Sequence, residues 1–284
     1  WDWEQLNPDL QSPITRAIQD NHPPIPRLAP ATVEGVSEIV CYAAQNKSPM
    51  LLSGNGSKLG WGGLVKQADL VLSTQKLNRI LDHAIADLTV TVEAGVKLAD
   101  LQAFLEPHRQ FLPIDPSYPE QATIGGIVAT ADSGSWRQRY GGVRDLVLGC
   151  SIVRSDGKVA KAGGKVVKNV AGYDLMKLFT GSYGTLGVLT QITFRLYPLP
   201  ETSKTLLLTG DAQALSQVCQ ALLKSGLAPT AADVLSINLM RSLNLGNTLG
   251  LLVRFQNIAE SVMEQVDQLQ ALGQNLGLAI AEFT

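Results

Sequence analysis

A turn built from Gly54-Asn55-Gly56-Ser57-Lys58-Leu59-Gly60 follows directly on the apolar run Met50-Leu51-Leu52. Glycines at the end of a strand let backbone N–H groups converge on an anion, because no Cβ blocks the approach. The loop nevertheless misses both familiar phosphate cradles. A G-x-G-x-x-G fingerprint needs glycine where Leu59 stands. A G-x-x-x-x-G-K-[ST] loop needs a hydroxyl after its lysine, and Gly163-Gly164-Lys165-Val166 ends in valine without the earlier glycine. What remains is a tight turn whose N–H groups, with the Ser57 hydroxyl, could face a pyrophosphate oxygen. An ordinary strand-to-strand turn is the commoner origin of such a stretch.

Two further glycine clusters could do related work. In Ala122-Thr123-Ile124-Gly125-Gly126-Ile127-Val128-Ala129-Thr130 the glycine pair lets a helix start approach something flat or anionic. Close packing of a helix on a sheet needs glycine for the same reason, and both readings stand. Gly181-Ser182-Tyr183-Gly184-Thr185-Leu186-Gly187 feeds a long apolar run toward Tyr197. Arg137, Arg139 and Arg144, around Tyr140-Gly141-Gly142, could neutralise phosphates, though arginines in a loop are more often solvated charge. The histidines are His22, His83 and His108, and His108, after Pro107, reads as a surface residue rather than a base. Cys41, Cys150 and Cys219 lie far apart without C-x-x-C spacing, against an iron–sulfur cluster, a zinc site or a disulfide framework.

The elements that must position these groups follow from periodicity. Thr32 caps an amphipathic helix marked by Val33, Val36, Ile39, Val40 and Ala43. Strands are expected over 69–73, 89–93 and 146–153, with a hairpin turn at Ser155-Asp156-Gly157 and a helix over 97–105. Four prolines in 107–119 predict an extended surface crossing. Beyond Pro200 the pattern predicts strands at 204–209, 234–239 and 249–255 and helices at 212–224 and 258–272. The fold class is α+β. With 284 residues, 45% hydrophobic content and a net charge of −2, the chain can build two domains and has no electrostatic case for nucleic acid. No apolar stretch approaches the roughly 20 residues of a membrane span. Scattered cysteines fit a reducing, cytoplasmic setting. The opening Trp1-Asp2-Trp3-Glu4 lacks an initiator methionine, so a fragment or trimmed product is expected.

In that order, the loop at 54–60, Ala122-Thr123-Ile124-Gly125-Gly126, Arg139-Tyr140-Gly141 with Arg144-Asp145, and Gly181 through Thr190 resemble the FAD-binding domain of the vanillyl-alcohol oxidase (p-cresol methylhydroxylase, PCMH-type) superfamily. Lys168-Asn169-Val170-Ala171-Gly172-Tyr173-Asp174-Leu175 is similar to the FAD-binding E subunits of glycolate oxidases. The resemblance implies that Ser53, Gly54, Asn55, Gly56, Ser57, Lys58 and Leu59 wrap the FAD pyrophosphate. It places Ser117, Tyr118, Ala122, Thr123, Gly125 and Gly126 along flavin and phosphates, and Thr130, Ala131, Asp132 and Ser133 on the ribityl side. Tyr183, Gly184, Thr185, Leu186, Gly187, Val188 and Leu189 offer backbone groups to the cofactor. FAD is long, so several loops must each present donors.

It also implies a PCMH-type FAD-binding domain over 1–200, with a subdomain break near 107–121. An α+β cap domain follows over 201–284, incomplete at its C-terminal end. Many relatives tether FAD through a histidine; none lies in these motifs, so non-covalent FAD is expected. Hydroxy-acid dehydrogenases of the superfamily place histidines and acidic residues in the cap, to bind metal and take the substrate's proton. No histidine follows His108 here, so no metal and no catalytic residue is assigned.

Three functions are compatible. The first is the flavoprotein subunit of a glycolate (2-hydroxy acid) oxidase, working with a related flavoprotein subunit and an iron–sulfur subunit, cytoplasmic or held at the inner membrane through them. The others are a stand-alone FAD-dependent D-2-hydroxy-acid dehydrogenase and a non-catalytic scaffold.

Overall fold

The computed structural model describes residues 25–164 and 173–283. Trp1-Asp2-Trp3-Glu4, His22, Thr284 and the motif residues from Lys165 through Gly172 lie outside them. The chain divides into two compact units. One runs to Gly134 and resumes over Gly142–Pro198; the other joins Ser135–Gly141 to the chain from Leu199 onward.

The first unit opens with β1 (Arg27–Leu28), α1 (Val33–Gln45), β2 (Met50–Ser53) and β3 (Leu70–Ser73), and the strands form a parallel sheet in the order β1-β3-β2. As the sequence predicts, Thr32 caps α1, its hydroxyl accepting the Gly35 N–H at 3.1 Å. Val36, Val40 and Ala43 recur at helical spacing and pack on Leu70, Leu72 and Leu77.

There follow β4 (Ile80–Ala84), β5 (Thr89–Glu93), α2 (Leu98–Leu105), β6 (Gln110–Phe111), α3 (Ile124–Thr130), β7 (Val147–Val153), β8 (Val159–Gly163), β9 (Val188–Arg195) and β10 (Tyr197–Pro198). Five of these strands make an antiparallel sheet in the order β4-β5-β9-β7-β8. β7 is buried along its whole length, which is why it reads as an apolar run rather than an alternation.

The surface crossing expected over 107–119 is corrected. β6 pairs with β10, and Phe111, Leu112 and Ile114 are buried in the core. Burial of this backbone is made affordable by one side chain: the Gln102 amide donates to the Leu112 carbonyl at 2.7 Å and accepts the Leu112 N–H at 3.1 Å. Proline density reported the irregular backbone correctly but not its depth.

The second unit contains β11 (Thr202–Gly210), α4 (Ala212–Lys224), β12 (Ala231–Leu235), β13 (Leu249–Asn257), α5 (Ala259–Asn275) and β14 (Ala279–Phe283). Its sheet is antiparallel in the order β12-β13-β11-β14, the βαββαβ arrangement of a split βαβ domain. Leu206 and Leu208 face α4 and α5 through Val218, Val262 and Val266. Leu207 points to the other face, onto Leu235 and Met240. A strand over 234–239 is therefore overturned: β12 ends at Leu235, and the Ser236 hydroxyl caps a helical turn, Ile237–Ser242, by accepting the Leu239 N–H at 3.2 Å. A serine before a short apolar run serves as a cap when the run must cover a sheet face. Among the described residues no helix is long and apolar enough to cross a membrane.

Candidate FAD-binding site

β2 and β3 end together, Ser53 in register with Ser73, and the loop 54–60 leaves from that edge. The C-terminal edge of a parallel sheet is where such folds leave room for a ligand. A cavity of about 460 Å³ opens there, within the first unit. Its walls are Ser53, Gly54, Asn55, Gly56, Ser57, Lys58 and Leu59 on one side, Thr123, Gly125, Gly126 and Thr130 on a second, and Tyr183, Gly184, Thr185, Gly187, Val188 and Leu189 on a third. Three glycine clusters far apart in sequence thus enclose one space.

The loop's donors are free. Among the described residues the backbone N–H groups of Asn55, Gly56, Ser57 and Lys58 donate to no protein acceptor. Gly56 has φ +81°, a backbone conformation that glycine adopts freely and that lets the loop turn tightly at the cavity wall. The Gly54 carbonyl is drawn the other way, accepting from the Ser73 hydroxyl at 3.2 Å. The Ser53 hydroxyl donates to the same carbonyl at 3.1 Å, and because a peptide's C=O and N–H point oppositely, the two bonds together set the direction of the Asn55 N–H. The Asn55 side chain is pinned at both ends, its Oδ1 accepting from Gln75 Nε2 at 3.1 Å and its Nδ2 donating to the Gln121 carbonyl at 3.2 Å.

Lys58 does not serve as a free phosphate cation. Its ammonium meets Asp132 Oδ2 at 2.6 Å, and both side chains are buried. Burial pushes the Lys58 ammonium below its ordinary value, against the opposing pull of the hydrogen bond and charge of Asp132. Asp132 Oδ2 also accepts the Ser117 N–H at 3.0 Å, so one carboxylate ties the loop to two other segments.

At the second wall the two readings of the glycine pair separate. A Cβ on Gly125 would stand 2.8 Å from the Ala94 Cβ, so this glycine serves close packing. A Cβ on Gly126 would meet only the Thr123 Oγ, at 3.2 Å, and its face of α3 opens on the cavity. The idea that this helix start receives an anion is corrected. The N–H groups of Ile124 and Gly125 already donate to the Val96 and Ala94 carbonyls at 2.8 and 2.7 Å, and that of Gly126 to the Thr123 hydroxyl. The third wall is stitched to the end of α3, with Gly181 N–H on the Val128 carbonyl at 2.9 Å and Tyr183 N–H on that of Ala129 at 2.8 Å.

Ser117, Tyr118, Ala122, Ala131, Asp132, Ser133 and Leu186 do not line the cavity. Most of them shape its walls from behind. The Tyr118 carbonyl accepts the N–H groups of Gln121 and Ala122, Ala131 ends α3 in the left-handed region at φ 51°, and Ser133 Oγ accepts the Val143 N–H. Leu186 is exposed. Arg137, Arg139 and Arg144 are exposed and away from the cavity. His83 and His108 meet edge to face with ring centroids 4.9 Å apart, also away from it. Sequence reasoning missed Leu51, Leu52, Trp61, Gly62, Gly63, Leu64, Val65, Thr74 and Ala129, which complete the lining. The run Gly60-Trp61-Gly62-Gly63 was the available signal, since it continues the glycine loop without a break.

The family model described as FAD binding domain matches residues 24–163. Those residues are an FAD-binding domain. Glycolate oxidase subunit GlcE of Escherichia coli (strain K12) is 40% identical over 174 residues, 61% of this chain and 49% of that protein. Glycolate oxidase subunit GlcD of Bacillus subtilis (strain 168) is 35% identical over 209 residues, 73% of this chain and 44% of that protein. The chain thus spans less than half the length of either relative. The crystal structure of p-cresol methylhydroxylase with substrate bound superposes with a TM-score of 0.73 at 18% identity, over 90% of this chain and 57% of that one. The FAD-binding domain therefore has the PCMH-type fold expected from its motifs.

Proposed function

We propose that this chain is the FAD-binding flavoprotein subunit of a glycolate (2-hydroxy acid) oxidase, in which glycolate is oxidised to glyoxylate and electrons leave through the flavin to a partner. The observation that carries the reading is the row of four unpaired N–H groups at Asn55, Gly56, Ser57 and Lys58, opening on the cavity at the C-terminal edge of the parallel sheet. A pyrophosphate bridge suits that donor set, since neutral backbone dipoles can hold two phosphates close together without a side chain between. Leu51, Leu52, Leu59, Trp61, Leu64 and Val65 add an apolar wall suited to the ring portions of a dinucleotide. Bound flavin supplies the acceptor for the hydride that leaves the hydroxyl-bearing carbon.

The chain's own residues hold and orient the cofactor without a covalent bond. Among the described residues the cavity wall carries no histidine or carboxylate, so removal of the substrate's hydroxyl proton is assigned to a residue outside this wall, on a related flavoprotein subunit. An iron–sulfur subunit is the natural electron acceptor, and such partners would hold the chain in the cytoplasm or at the inner membrane.

Purification and anaerobic titration test the proposal. The chain is expected to copurify with, or take up, FAD that trichloroacetic acid releases, and glycolate should bleach it only in the presence of the partner subunits. Bleaching of the isolated chain by glycolate or D-lactate would show a stand-alone dehydrogenase. A folded chain that takes up no FAD would leave the scaffold reading.

A further inference from the structure

The charged groups buried among the described residues are Arg27, Lys58, Glu93 and Asp132. Lys58 and Asp132 neutralise each other, and Glu93 is held by Arg79 at 2.8 Å. Arg27 has no acidic partner. Its guanidinium donates to the Ser73 hydroxyl at 2.8 Å and to Gln75 Oε1 at 3.0 Å, both neutral, and among the described residues its Nε has no hydrogen-bond partner. A buried cation without a counter-ion is costly, and an anion bound nearby would offset what its hydrogen bonds to neutral groups leave uncompensated.

The partners of Arg27 lead to the loop. Ser73 Oγ, which takes the Arg27 hydrogen bond, donates to the Gly54 carbonyl, and Gln75, which takes the other, donates to Asn55. Through them Arg27 braces the side chain of Asn55 and, together with the Ser53 hydroxyl that donates to the same Gly54 carbonyl at 3.1 Å, the peptide plane between Gly54 and Asn55, at the head of the row of free N–H groups. Among the described residues Lys58 is the one lysine or arginine on the cavity wall, and it is already paired with Asp132.

We propose that Arg27 is the positioning residue and the uncompensated positive charge of the pyrophosphate site, acting from beneath the loop through Ser73 and Gln75 rather than by touching the ligand. The assignment rests on the FAD reading above but concerns the anion alone. Burial also lowers the guanidinium below its ordinary value, the direction expected for a cation with nothing opposite it.

The experiment uses the full chain freed of flavin, with Arg27→Met and Arg27→Lys beside the wild type. Each is melted with and without inorganic pyrophosphate and titrated with FAD at low and high salt. Pyrophosphate should raise the melting temperature of the wild type and of Arg27→Lys but not of Arg27→Met. FAD affinity should fall by about tenfold or more in Arg27→Met, with a shallower salt dependence, and largely return in Arg27→Lys. Without anion, Arg27→Met should melt no lower than the wild type, because an unpaired buried charge has been removed. An Arg27→Met chain that unfolds, or melts well below the wild type, overturns the proposal by showing a structural role. Retention of the wild-type pyrophosphate shift overturns it too. A wild type that answers to pyrophosphate and refuses FAD overturns the cofactor reading and leaves Arg27 to be judged on the pyrophosphate shifts.

Discussion

Gly54→Ala is expected to loosen two walls of the cavity at once, at a cost set by its clash with Thr123. A Cβ at position 54 would stand 2.1 Å from Thr123 Oγ and 3.1 Å from Thr123 Cβ. Thr123 must rotate, and its hydroxyl then leaves the Gly126 N–H that it caps at 3.3 Å. Loss of the cap costs about 1 kcal/mol. Residual overpacking adds about 1–3 kcal/mol, so the total is about 2–4 kcal/mol. Thr123→Ala removes the hydroxyl and leaves only the 3.1 Å approach, which a small shift of α3 relieves. Urea unfolding of the four chains of the double-mutant cycle should therefore show Gly54→Ala costing at least about 1 kcal/mol less in the Thr123→Ala background. FAD affinity should fall in Gly54→Ala as the loop retreats from α3. Equal costs in the two backgrounds would refute the claim that Gly54 and Thr123 hold the walls together.

Three further outcomes follow from the same geometry. Gly56→Val forces a β-branched residue to φ +81° at about 1–3 kcal/mol and should abolish FAD retention in a chain that still folds, whereas retained flavin by absorbance would defeat the cradle assignment. Lys58→Met strands Asp132 and should destabilise by about 3–5 kcal/mol in urea, with Lys58→Met/Asp132→Leu recovering part of it; a loss of FAD affinity at unchanged stability would mean that Lys58 serves the phosphate instead. Burial pushes the Cys150 thiol up from 9.0 to about 11, so the folded chain keeps a proton that the unfolded chain sheds. That contribution is whole below pH 9 and lost as pH rises through about 11, amounting to about 2–3 kcal/mol at most, so Cys150→Ala should flatten the alkaline decline in unfolding free energy, and parallel declines would contradict it.

The elements that periodicity predicted are those whose burial is one-sided or complete. α1 shows its Thr32 cap and its Val36, Val40, Ala43 stripe, and β7 its unbroken apolar run. Elements that depend on a distant partner were misread. The segment 110–114 goes inside because Gln102 answers its backbone, and 237–242 coils because the far side of β11 needs Met240 as cover. At the site, three of the four motifs behind the family resemblance line one cavity and the arginine motif does not, and residues within each loop divide by roles that motif matching does not resolve. Asp132 and Ser117 brace Lys58, and Gly125 packs while its neighbour Gly126 faces the cavity.

By itself the sequence determined where the backbone could turn tightly and where helices begin, because turn chemistry, caps and periodicity are set by neighbours along the chain, while a shared ligand for the glycine loops came only from the family resemblance. Only the tertiary structure decided which donors stay free and which charges cancel. Lys58 meets Asp132 across 74 residues and Arg27 meets Ser73 across 46. Charge compensation is a property of groups that burial brings together, and no local pattern records it.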